Sequence, residues 1–249
     1  MPTYTTRSLR YNWDMKKVWI AIAAIFGVAV ICFGILVGMA VIKDRDGANV
    51  FHAAMEEYRA IINAEEPNPA KIEELADQIS SSENYAVIEK AAKEYLRDVL
   101  VPFWKAAEIT DADIYKSGIS KTVLETDAPE FQQSLATISS ATAALDAVQK
   151  ASELFSREAA MKYLSEDLDD YYIDLYDDQV EEIYSDQQMR QNYLEYVQSI
   201  QKMNTNFTEV INFLAANNGK WHLEGDTIVF KTVALTNQYN QILARIAEQ

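Results

Sequence analysis

The 249-residue chain has one cysteine, two histidines, seven glycines and five prolines. With Cys32 alone there is no internal disulfide and no multi-thiolate metal site, so stability must come from packing. His52 and His222 stand far apart, and neither has a second histidine at a ligand spacing, which argues against a zinc or haem site. A Gly-rich phosphate loop, a G-x-S-x-G turn and a Cys/His pair are all missing. The expectation is a protein that is not an enzyme and carries no cofactor or metal. Basic charge is also short. Residues 47–249 hold 16 of the 22 Lys and Arg but 35 of the 38 Asp and Glu, a net charge of −19. A surface that acidic repels phosphate backbones, which excludes nucleic acid as a partner.

Against this background one long apolar run stands out. Val18–Ile42 is 25 residues without a charge. As a helix it spans about 37 Å, against a hydrocarbon core of about 30 Å. A secretory leader has a shorter apolar region of about 7–15 residues, although Gly38-Met39-Ala40 does offer a small-x-small cleavage site. A lipoprotein leader is excluded because Ile31 precedes Cys32 where a small residue is required, and apolar residues follow. The reading is therefore a retained signal anchor in the cell membrane, a single-pass transmembrane helix at residues 18–42. Arg7, Arg10, Lys16 and Lys17 precede it, while Lys43, Arg45 and Arg59 follow it. That bias places the N-terminus in the cytoplasm and the C-terminal part outside.

Within the span, Ala23, Gly27, Gly34 and Gly38 fall within about 60° of one another on a helical projection. Small residues on one stripe let two membrane helices approach closely, so this stripe reads as a homodimer face. The resulting organisation is a short cytoplasmic tail (1–17), the span (18–42), a juxtamembrane linker (43–49) and an acidic extracytoplasmic domain (50–249).

That domain reads as mainly α, a multi-helix bundle with a small β-hairpin near the C-terminus. Val50, Ala54, Tyr58 and Ile61, with Phe51, Met55 and Ile62 beside them, form one stripe, and Tyr85, Ile88, Ala92, Tyr95 and Val99 another, with a kink predicted at Pro102. Residues 109–126, with Gly118 in the middle, read as a broken helix or connector. Asp127-Ala-Pro-Glu130 predicts a helix start with a capping box. No glycine or proline occurs from Glu130 to Asn218, which predicts long helices with breaks near Ser156 or Ser165 and near Ser185-Asp186. At about 220–231 the pattern turns β-rich around Glu224-Gly225-Asp226, a hairpin whose Trp221, Leu223, Ile228 and Phe230 must lean on helices. Val233, Leu235, Tyr239, Ile242, Leu243 and Ile246 predict a final helix.

The densest charge lies between Glu166 and Glu182, and the Leu164, Leu168, Tyr171, Leu175 spacing places it on a helix. Such a helix spreads its carboxylates and lacks the loop glycine of an EF-hand, so calcium is not the expected partner. Asp170, Tyr171, Tyr172, Asp174, Tyr176 and Asp177 form the candidate face for a protein partner. The functional expectation is a membrane-anchored interaction or envelope-scaffold module. The alternative is a ligand-sensing or solute-binding domain with a pocket near Trp104 and the Trp221 hairpin.

Overall fold

A computed structural model describes residues 45–64, 67–165 and 167–248. The predicted tail, the span and its Ala23, Gly27, Gly34 and Gly38 face lie outside the described residues. Among the described residues no helix is long and apolar enough to cross a membrane. The elements are helices with one antiparallel hairpin. They divide into two compact units where the sequence reads as one domain. Residues 45–106 with 146–197 make the first unit, and 107–145 with 198–248 the second.

In the first unit, α1 (Arg45–Ile62) begins inside the stretch read as a linker, so residues 45–49 are helical. The buried stripe is rotated from the predicted one: Phe51, Ala54, Met55, Tyr58 and Ile62 are buried, whereas Val50 is exposed and Ile61 half-buried. Asn68 starts α2 (Pro69–Ala76), accepting from the Lys71 amide at 3.1 Å, with Pro69 where a missing N–H costs nothing. The third helix, α3 (Glu83–Thr110), continues through Pro102 and buries Ile88, Ala92, Tyr95 and Val99.

The α4 helix (Asp113–Ser117) and α5 (Lys121–Asp127) fill the connector predicted as broken, and they belong to the second unit. Gly118 ends α4 at φ +67°, a conformation that glycine takes without a steric penalty. The helix predicted to start at Asp127 begins five residues later, as α6 (Gln132–Ser152). Pro129 and Glu130 therefore lie in the preceding turn, where no capping box forms. Asp127 still caps from a distance, its two carboxylate oxygens accepting the Gln133 and Ser134 amides at 2.9 and 2.7 Å. Between them Phe131 is held at φ +53° with its side chain fully buried. Fully burying a phenyl ring is worth about 1.5–3 kcal/mol, which offsets the roughly 1–2 kcal/mol cost of a left-handed residue.

Replacing Asp127 by alanine is expected to cost about 1–2 kcal/mol at neutral pH, because two helix donors lose their acceptor together. Burial raises this carboxyl's pKa, but the hydrogen bonds from Ser134 and Gln133 outweigh it and hold the pKa low. The cap thus stabilises above the ordinary carboxylate range, and the stabilisation is lost as pH falls through the lowered value. Urea titrations of both proteins at neutral and acid pH check this: the difference should close under acid.

After α6, Ser156 caps α7 (Arg157–Met161) by accepting from the Ala159 amide at 3.2 Å. Asp186 then separates α8 (Asp170–Ser185) from α9 (Gln187–Ala216), accepting from the Met189 amide at 2.8 Å. Ser156 and Ser185-Asp186 are two of the predicted breaks, and Ser165 lies in the connector before α8. Helices α3, α6 and α9 contribute residues to both units.

In the second unit β1 (Trp221–Glu224) pairs with β2 (Thr227–Phe230), Trp221 opposite Phe230 and Leu223 opposite Ile228. Gly225 takes the first loop position at φ +64°, where a side chain would be strained. The alternation puts Trp221, Leu223, Ile228 and Phe230 on one face. Phe230 meets Phe213 of α9 at 5.7 Å and Tyr239 of α10 (Val233–Glu248) at 5.2 Å between ring centroids. The Trp221 indole N–H donates to the Leu214 carbonyl at 2.9 Å. The hairpin is thus held by helices on its apolar face, as an isolated two-stranded ribbon requires.

Candidate functional site

Helix α8 carries the acidic and tyrosine-rich stretch, but it starts at Asp170, so Leu164 and Leu168 precede it. At about 100° per residue, Asp170, Asp174, Asp178, Glu181 and Glu182 fall within an arc of about 120°. All five are exposed. Opposite them Tyr176, Gln179, Val180 and Tyr184 are buried. Mutual repulsion and hydration keep the carboxylates apart on this face. Among the described residues no group of three or more His, Cys, Asp or Glu is placed to hold a metal ion.

The six residues proposed as a partner-binding face do not lie together on one surface. Tyr176 is in the core, its hydroxyl donating to the Ala160 carbonyl at 2.6 Å, and burial pushes its pKa upward. Asp177 is half-buried and engaged twice, accepting from the Tyr184 hydroxyl at 2.8 Å and from Arg157 Nε at 2.9 Å. Asp170, Tyr171 and Asp174 are exposed and Tyr172 half-buried. The face that remains is these four residues, extended by Asp178, Glu181 and Glu182.

Tyr171 and Tyr172 belong to an aromatic seam that sequence spacing did not reveal. The Tyr172 ring meets Tyr85 of α3 edge-on at 5.1 Å and Tyr171 at 5.2 Å. Tyr85 in turn lies 6.2 Å from Phe51 of α1, and Phe51 lies 5.5 Å from His52. The Tyr85 and Tyr171 hydroxyls are 3.5 Å apart. Edge-on pairs at these spacings add about 0.5–1.5 kcal/mol each beyond area burial. The seam joins the N-terminal parts of α1, α3 and α8.

A second feature missed by sequence reasoning is a buried ion pair. Glu89 and Lys93, one turn apart on α3, are almost wholly removed from solvent, with Nζ and Oε1 2.7 Å apart. The Glu89 carboxylate also accepts the Ser80 amide at 3.1 and 3.3 Å and the Ser81 amide at 2.9 Å. Lys93 donates to the Gln78 carbonyl at 2.7 Å and sits 5.7 Å above the Tyr58 ring. Burial alone raises the Glu89 pKa, but hydrogen bonds from Lys93, Ser81 and Ser80 together lower it. Through the Gln78 carbonyl and the Ser80 and Ser81 amides, the pair fastens the 77–82 connector to α3. The sequence signal was available: Glu89 and Lys93 fall on the line that continues through Leu96 and Leu100, both buried.

In the second unit, Phe213, Gln238, Gln241, Ile242, Ala244 and Arg245 line a groove of about 530 Å³. Arg245 pairs there with Glu209. Tyr115 donates to Asn204 Oδ1 at 2.6 Å and Asn204 donates to Thr142 at 3.1 Å, a closed internal network. Trp221 does not line this groove, and Trp104 belongs to the other unit. His52 and His222 are both exposed, His222 against Glu224 at 3.0 Å.

The chain belongs to the family described as protein of unknown function (DUF3053), whose family model matches residues 114–249. No curated protein and no solved structure matches it.

Proposed function

We propose that this DUF3053 member is a single-pass membrane protein that holds an acidic helical domain outside the cytoplasmic membrane, as an interaction or envelope-scaffold module. The carrying observation is the uncharged run Val18–Ile42, which ends three residues before α1 begins at Arg45. The four preceding basic residues keep the tail in the cytoplasm. Two copies meet through Ala23, Gly27, Gly34 and Gly38. The external binding surface is the acidic arc of α8 with exposed Tyr171, which fits a basic protein partner.

The test is fractionation followed by protease added to intact cells. The full-length protein should stay in the membrane fraction after a high-salt wash, and external protease should remove the domain while the tail is retained. Survival of the domain while a known surface protein is digested would reverse the topology. Replacing Gly34 and Gly38 by leucine should at least halve self-association in a membrane two-hybrid assay; unchanged association removes the dimer.

A further inference from the structure

We infer that Asn218 is a site of spontaneous deamidation whose isoaspartyl product loosens the β-hairpin from the end of α9. The inference concerns the second unit alone and stands apart from the anchor proposed above. Asn218-Gly219 is the one Asn-Gly pair in the chain. Both residues are exposed in the turn that follows Ala216, the last residue of α9. Asparagine deamidates when the backbone nitrogen of the next residue attacks its side-chain carbonyl, so that nitrogen must be unshielded, unpaired and able to turn. Gly219 meets each requirement. It carries no side chain, and apart from its chain neighbours nothing lies within 4 Å of where a Cβ would stand. Its amide donates to no other backbone group among the described residues, and at φ +74° glycine moves to other conformations without steric cost. The Asn218 carboxamide has no hydrogen-bond partner among the described residues either. Asn217 is the contrast: its side chain donates to the Phe213 carbonyl at 2.9 Å and accepts from Lys220 Nζ at 3.5 Å, and the residue after it is not glycine.

The only co-reactant is water. The Gly219 nitrogen gives up its proton and bonds to the side-chain carbonyl carbon of Asn218, and the bond from that carbon to the amide nitrogen breaks, releasing ammonia. Water then opens the cyclic imide. Hydrolysis at the side-chain carbonyl leaves aspartate. Hydrolysis at the main-chain carbonyl leaves isoaspartate, in which the chain runs through the former side chain and is one carbon longer. Two hydrogen bonds straddle this point: Lys220 N–H to the Asn217 carbonyl and Trp221 Nε1–H to the Leu214 carbonyl, both at 2.9 Å. Beyond them the Lys231 amide donates to the Lys220 carbonyl at 2.9 Å and closes the base of the hairpin. An inserted carbon shifts the donors of both straddling bonds against their acceptors on α9 and in its turn. A two-stranded ribbon that loses its hold on a helix is only marginally stable.

The experiment ages the purified full chain in detergent at about pH 8.5, below the range in which tyrosines ionise. Peptides prepared at mildly acid pH are sequenced by electron-transfer fragmentation, which tells isoaspartate from aspartate. In the folded protein Asn218 should convert several-fold faster than any other asparagine, with isoaspartate exceeding aspartate. The converted protein, separated by its added negative charge, should show several-fold faster deuterium exchange in β1 and β2 and unchanged exchange in α3. Asn218→Gln, aged in parallel, should keep the exchange of fresh protein. So should Asn218→Asp, which carries the new charge on an unaltered main chain. Conversion of Asn218 only in denaturant means that the folded turn protects it, and overturns the inference. Aspartate without isoaspartate excludes the imide route and also overturns it. Unchanged hairpin exchange after conversion, or equally fast exchange in Asn218→Asp, removes the effect assigned to the rerouted chain and sinks the inference as stated.

Discussion

Raised from neutral pH into the range of about 11 to 13, the folded protein is expected to unfold cooperatively instead of releasing its tyrosine protons one by one. Tyr58, Tyr95, Tyr176 and Tyr193 are all buried, and burial is the leading cause that pushes each of their pKa values upward. Tyr239 is pushed up to about 12 by burial alone. An acid with a raised folded pKa keeps its full contribution below the unfolded value of about 10 and loses it as pH rises. Each of the four deeply buried tyrosines then costs about 1.4 kcal/mol per pH unit, together about 5–6 kcal/mol per unit. A domain stability of about 5–15 kcal/mol is exhausted within roughly one to three units. The far-ultraviolet helical signal should therefore be lost together with the step in tyrosinate absorbance that comes from the buried set. Tyr176→Phe should flatten the slope by about a quarter. Ionisation of these buried tyrosines near pH 10 with the helices intact would contradict this account.

What the sequence disclosed follows from which features are local. The apolar stripe of α3 and the hairpin around Gly225 are set by spacing of three, four and two residues and by one turn glycine, so they could be read directly. In α1 the spacing gave the helix but centred its buried face on Val50 and Ile61 instead of Phe51 and Ile62. The start of α6 could not, because the φ of Phe131 depends on the core that surrounds it and not on Asp127, Pro129 or Glu130. The candidate face was half legible. Periodicity places Asp170, Asp174 and Tyr171 on one side of α8, but the same arithmetic puts Tyr176 on the other. Treating the stretch as one patch ignored that the helix must bury a stripe. The seam from Phe51 to Tyr171 joins residues 120 positions apart, and no local rule brings three helix starts together.

Glu89 and Lys93 show why a pairwise reading of charge is insufficient. At a spacing of four on a helix they look like an exposed pair worth about 0.3–0.5 kcal/mol. In the fold the 77–82 connector covers them, and the energetics change with the loss of solvent. Lys93→Met keeps the apolar stem but leaves Glu89 buried without its cation. The expected loss at neutral pH is about 3–5 kcal/mol, the range for breaking one half of a buried pair. In the parent protein the lowered Glu89 pKa stabilises above the ordinary carboxylate range, and that stabilisation is lost as pH falls through the lowered value. In the variant burial dominates and raises the same pKa, so protonation relieves the orphaned charge. The stability gap between parent and variant should therefore shrink as pH falls toward about 4. Glu89→Gln combined with Lys93→Met removes both charges while keeping an acceptor for the Ser80 or Ser81 amide. The double variant should be more stable than Lys93→Met alone, with the two substitutions clearly non-additive. Urea unfolding of the parent, Glu89→Gln, Lys93→Met and the double variant at neutral and acid pH measures this directly. A loss below about 1 kcal/mol for Lys93→Met, independent of pH, would mean that the pair is solvated and the 77–82 connector does not close over it.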